Sequence, residues 1–208
     1  PGYQNQSYVG PSSPIDDELS VISIQTLKGK PLAVIANFSM HYYGGAGPAD
    51  YFGLFADRLA KRLESDGQIP VCAMSQGTSG DLHWMNYSKP NKGSNVSQYA
   101  DGLAQFAAQA LENIRYQNTP PLGMEQKIIT LSRRLPDRER LAWADKLLAN
   151  MKGRRPKNRP EVYAEQARFI DENPTEKLVL QTLRIGDLGI TTLPNEVYSI
   201  TGLKLKAR

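Results

Sequence analysis

Leu32-Ala33-Val34-Ile35-Ala36-Asn37-Phe38-Ser39-Met40-His41 is the most apolar run of the chain, and it ends on a histidine. Leu32 to Phe38 suits a buried central strand, because an unbroken apolar run of strand length can meet packing on both faces of a sheet. Upstream, Leu19-Ser20-Val21-Ile22-Ser23-Ile24-Gln25-Thr26-Leu27 alternates apolar and polar residues, the period of a half-buried strand. Lys28-Gly29 supplies the turn between them, so the two segments predict a hairpin. Downstream, His41, Tyr42 and Tyr43 enter a loop punctuated by Gly44-Gly45-Ala46-Gly47-Pro48. Asp50 then stands as the N-cap of a helix carrying Phe52, Phe55, Leu59 and Leu63 at helical spacing, ended near Gly67.

The same reading continues outward. Val71 to Met74 is a short buried strand, followed by the polar loop Ser75 to Asn86. A helix spans about 95–116, with Val96, Tyr99, Leu103, Phe106, Ala110 and Ile114 as its apolar face. Gln126 to Leu131 is a strand. Pro136 opens a helix with Leu141, Ala144, Leu148 and Met151 inward, and a second runs from about Glu161 to Asp171. Leu178 to Ile185 and Leu188 to Leu193 flank Gly186-Asp187, a two-residue hairpin turn. The order β-β-α-β-α-β-α-α-β-β predicts an α/β fold with a mixed β-sheet flanked by helices on its faces. The expectation is one domain over 1–208, with 1–18 as an extended lead-in and 132–176 as a basic helical insertion.

Composition bounds the function. The chain has 208 residues, enough for a real core, and its 40% hydrophobic and 22% charged content is ordinary for a globular protein. No apolar run approaches the roughly 18 residues of a membrane span, and the first residues carry no charged and apolar leader. The single cysteine, Cys72, excludes an internal disulfide and sits in an apolar stretch that suits a buried thiol. Net charge is +4, but Lys127 to Arg159 holds eleven Lys/Arg against three Asp/Glu, a local +8. Its densest part, residues 152–159, suits a solvated inter-helix loop, with peripheral contact to anionic surfaces as the alternative. No aromatic residue interleaves there, so a base-stacking platform is not supported and no nucleic-acid partner is expected.

Both histidines fall in loops that follow predicted strands, where open α/β sheets place their ligands. His41 follows the central strand, His83 the next buried one, and Glu196 the last, in Leu193-Pro194-Asn195-Glu196. Three ligands or acid/base groups therefore converge on one sheet edge in principle. By position alone each histidine suits a hydrogen-bonded structural role more than that of a ligand. Glu196 suits an early helix position within 194–203, and Asp81 a bridge between the amides of its Gly-rich turn. Tyr42, Tyr43 and Trp84 lie beside these groups, either as a binding wall for an apolar or ring-bearing substrate or as packed loop aromatics.

Taken in order, strand-Asn37-Phe38-x-x-His41, Ala49-Asp50-Tyr51 opening a helix, Gly77-x-x-Gly80-Asp81 after a strand, and Leu193-Pro194-x-Glu196 followed by Gly202 resemble the neutral (non-lysosomal) ceramidase superfamily. The similarity runs from about Leu19 to the end. It implies a zinc ion held by two histidines, a glutamate and a tyrosine, of which His41 and Glu196 match one histidine and the glutamate. The other histidine is expected before this stretch and the tyrosine after it, so the resemblance is to a piece of a catalytic domain. Ceramidases of this kind carry a nucleophilic serine in Gly-Asp-Val-Ser-Pro; here the run is Gly80-Asp81-Leu82-His83-Trp84, with His83 in the serine's place. The implied chemistry is hydrolysis of an amide, ester or related bond by an activated water, with His83 and Asp81 as catalytic groups on a small or lipid-like substrate. The resemblance also implies a secreted or periplasmic location. A catalytically inactive module binding a lipid, glycan or protein is the alternative, and an anion or nucleic-acid binder acting through 152–159 a weaker one.

Overall fold

A computed structural model describes residues 2–45, 47–91, 93 and 95–208. They form two compact units, 1–119 with 195–208, and 120–194.

The first unit is built on the decisive run. β1 (Leu19–Gln25) and β2 (Pro31–Phe38) form the expected antiparallel hairpin, with Ile22 opposite Ile35. The chain then crosses through α1 (Asp50–Arg62) to β3 (Val71–Gln76), which lies parallel to β2. One face of this mixed sheet places Val34 and Ala36, both fully buried, against Tyr51, Phe55 and Leu59 of α1. On the other face, one residue out of phase, Ile24, Ile35 and Val71 are exposed. α2 (Val96–Leu111) completes the core through Ala100, Leu103, Ala104 and Ala107. Phe106, expected inward, is exposed, because three alanines form the face that packs. α2 also ends earlier than the sequence predicts: the N–H groups of Asn113 and Ile114 bond three residues back, a tightening that unwinds the last turn. The unit closes with α5 (Ser199–Lys206), which adds a helix to the expected order.

In the second unit, β4 (Leu122–Ser132), β5 (Thr175–Ile185) and β6 (Leu188–Thr192) make an antiparallel sheet, with the β5–β6 hairpin turning on Gly186 at φ 62°. α3 (Arg138–Met151) and α4 (Arg159–Glu172) pack on each other through Ala144, Ala164 and Ala167. Asp137 and Asn158 cap them by accepting the N–H of Arg140 and Glu161. The α/β class and element order are those expected. The strands form two three-stranded sheets, because β4 pairs with β5 along its whole length. In the basic loop Arg154 is clamped to Glu161 by two bonds of 2.7 and 2.8 Å, which hold that carboxyl down at about 2.

Candidate functional site

Every residue singled out in the sequence for catalysis, metal binding or the aromatic wall lies in the first unit, and the basic stretch 152–159 lies in the second. The loop after β2 is shaped by Asp50, which has φ 47° and a buried carboxylate. That carboxylate accepts the N–H groups of Tyr43 at 2.8 Å, Gly44 at 2.7 Å and Tyr51 at 2.7 Å. Asp50 is thus the first residue of α1 rather than its N-cap, and it ties the helix start to the loop. Tyr51, buried, donates its hydroxyl to Met40 O at 3.2 Å, and desolvation pushes its phenol up out of the ordinary range. These bonds fix the backbone on both sides of His41.

His41 accepts the Tyr42 N–H at Nδ1, 2.9 Å away, which turns Nε2 towards Glu196. Nε2 and Glu196 Oε1 are 3.6 Å apart. The His83 ring lies 6.5 Å from that of His41. Partial desolvation, with His41 adding a smaller push, lowers the His83 pKa below the usual histidine value. Its imidazole is therefore a free base at neutral pH.

The other expected residues divide by what holds them. Trp84 stacks on Tyr43 at 4.6 Å and donates its indole N–H to Tyr43 O at 2.9 Å. Tyr43 is buried and accepts the Asn95 N–H on its hydroxyl, whereas Tyr42 is more than half exposed beside His41. Asp81 accepts the Ser199 N–H at 2.8 Å and the Ser13 hydroxyl at 2.5 Å. Desolvation pushes the Asp81 carboxyl up, but these donors together hold it below the usual range.

The sequence pattern missed the supports of this cluster. Asp16 is buried in the lead-in, accepts the Ser39 hydroxyl at 2.9 Å, and pairs with Lys206 of α5 at 2.8 Å. Pro14 O accepts the Ser199 hydroxyl at 2.6 Å. Their partners lie up to 190 positions away, so no local pattern carries them.

Zinc is tested by the donors themselves. Ligands at about 2.0–2.2 Å on a tetrahedral ion stand about 3.3–3.6 Å apart, so the 3.6 Å between Nε2 and Oε1 suits two neighbouring donors. Ligation at Nε2 requires the ring proton on Nδ1, where it now accepts from Tyr42, so that bond has to yield to an acceptor. Among the described residues no three His, Cys, Asp or Glu side chains gather as a complete metal group. The pair fits zinc as half of a four-donor set.

No protein-family model and no curated protein matches the chain. Solved structures do. A neutral ceramidase from Pseudomonas aeruginosa superposes with a TM-score of 0.60 at 17% identity, over 98% of this chain and 38% of the ceramidase. A ceramidase complexed with C2 gives 0.62 at 15% identity, over 98% of this chain and 40% of the other. The chain has the fold of part of a neutral ceramidase, as the motifs implied, and spans about two fifths of those chains. Among the described residues no helix is long and apolar enough to cross a membrane.

Proposed function

We propose, for a chain with the fold of part of a neutral ceramidase, that it is the portion of a zinc-dependent hydrolase that brings half of the metal donors and the acid/base group to one site. The 3.6 Å approach of His41 Nε2 to Glu196 Oε1 carries the reading. When bound, zinc supplies Lewis-acid polarisation of a carbonyl and lowers the pKa of water towards neutrality. His41 and Glu196 are the donors in this reading. His83, neutral near pH 7, takes the proton of the attacking water on its imidazole and returns it to the leaving nitrogen or oxygen, a cycle no serine is needed for. The substrate is an amide, ester or related bond on a lipid-like molecule. Tyr42 offers the exposed aromatic face for it, Trp84 the ring beside His83, and Tyr43 the buried support under Trp84. Asp81 acts through its neighbours, since both its oxygens are already engaged by Ser13 and Ser199.

The test is zinc titration of the chain followed by 15N spectra of the histidine rings, with hydrolysis of a panel of N-acyl amides and esters. Metal-free His41 should carry its proton on Nε2, and zinc should move it to Nδ1. Glu196→Ala should abolish both the shift and any turnover, His41→Ala should abolish any turnover, and His83→Asn should cut turnover about 100-fold or more while sparing the shift. If zinc leaves the His41 ring unchanged, the hydrolase reading fails. Substrate binding without turnover replaces it with a binding module built on the same cleft.

A further inference from the structure

Glu196 has little of its own to hold it. Its side chain is 61% exposed and its one ion-pair partner among the described residues is His41. Its backbone, by contrast, is gripped from the opposite side of the site. Gly80 donates its N–H to Val197 O at 2.9 Å, and the Gly80 Cα lies so close to the Glu196 carbonyl that a Cβ there would stand 2.5 Å from its oxygen. One residue on, Asp81 accepts the Ser199 N–H at 2.8 Å. Tyr198, the N-cap residue of α5, makes no side-chain cap bond, so Asp81 is the cap of that helix, supplied from 118 positions away. A carboxylate at a helix N-terminus also meets the positive end of the helix dipole. Ser13 pins the second oxygen of Asp81 from the lead-in.

We propose that the Gly80–Asp81 corner is the positioning device of Glu196. By docking the backbone from Glu196 to Ser199 and capping α5, it sets the Glu196 carboxylate beside His41. Asp81 is thus a positioning residue and not a proton-transfer group. The proposal rests on reading His41 and Glu196 as a donor pair, and its first readout needs no metal.

The test uses the 208-residue chain, first metal-free and then titrated with zinc. In the metal-free protein a nuclear Overhauser contact between the His41 ring and the Glu196 methylenes reports the pair. Asp81→Ala is expected to abolish that contact and to weaken zinc binding at His41 by about 10- to 100-fold, the range for losing a group that orients a ligand. Asp81→Asn keeps an oxygen for the Ser199 N–H and is expected to restore the contact. A merely structural role would lower Tm in both variants and leave the contact intact in folded molecules. Slow exchange of the β1–β3 amides identifies the folded state. If Asp81→Ala does not fold, Ser199→Pro removes the same N–H, and proline suits a first helical position after the extended Tyr198. The contact persisting in folded Asp81→Ala or Ser199→Pro, or missing from the parent, overturns the proposal. If Asp81→Ala loses the contact but the parent takes no zinc, the positioning stands and the metal reading falls.

Discussion

Replacing Asp50 by alanine should release the loop that carries His41. The Asp50 carboxylate accepts three backbone N–H groups at 2.7 to 2.8 Å, one of them at the start of α1. Each donor left without a partner costs about 1–3 kcal/mol when it stays buried. The Tyr43 and Tyr51 N–H groups are in buried residues, whereas Gly44 is exposed and water can replace its partner, and removing a buried charge returns part of the loss. Two buried donors at about 1–3 kcal/mol each, less the relief of the charge, leave a net loss of about 2–5 kcal/mol. Backbone strain adds a second, separable part, because Asp50 sits at φ 47° and alanine tolerates that region less well than aspartate. Asp50→Gly should therefore lose about 1 kcal/mol less than Asp50→Ala, although it removes the same carboxylate. The assay is urea unfolding followed by Trp84 fluorescence in a Trp143→Phe background, which leaves one tryptophan, stacked on Tyr43, to report on this loop. A loss below about 1 kcal/mol for alanine, with glycine no better, would refute the reasoning.

Two further outcomes follow from the site's surroundings. A Cβ on Gly202 of α5 would overlap the Thr78 hydroxyl, so Gly202→Ala should destabilise the chain by about 1–3 kcal/mol. Thr78→Ala should recover most of that in the double variant, and additive losses in the urea midpoints would show that the two residues do not press on each other. His83, whose pKa is lowered mainly by desolvation, should titrate below 6.5 by ring NMR. With the folded value depressed, its contribution to stability is full above the unfolded pKa of about 6.5 and is lost as pH falls through the lower folded value. His83→Asn should flatten that part of the stability profile; an unchanged slope counts against the shift.

Much of the scaffold was legible because its cause is local. The apolar segments and the Lys28-Gly29 turn between them predict the β1–β2 hairpin, which forms; the reading of β2 as buried on both faces fails, because Leu32 and Ile35 are exposed while Val34 and Ala36 are buried. Gly186-Asp187 marks the β5–β6 turn for the same reason. The α2 face was misread because alanine is weakly hydrophobic by type. Ala100, Leu103, Ala104 and Ala107 are buried in one core with α1, whereas Phe106 lies outside that core and is exposed. Splitting of the strands into two sheets depends on which partner β4 finds, and that is a long-range competition.

By itself the sequence determined which residues could do chemistry: two histidines and a glutamate in loops that follow predicted strands. Its motifs also pointed to the fold, that of part of a neutral ceramidase, which the superpositions bear out at 15–17% identity. Only the tertiary structure decided how the groups face one another. The 3.6 Å between His41 and Glu196 is produced by Asp50 bridging a loop to a helix, and by Asp81 capping α5 from 118 residues away. Such bonds leave no periodicity, because hydrogen bonding depends on distance in space and these partners lie far apart along the sequence.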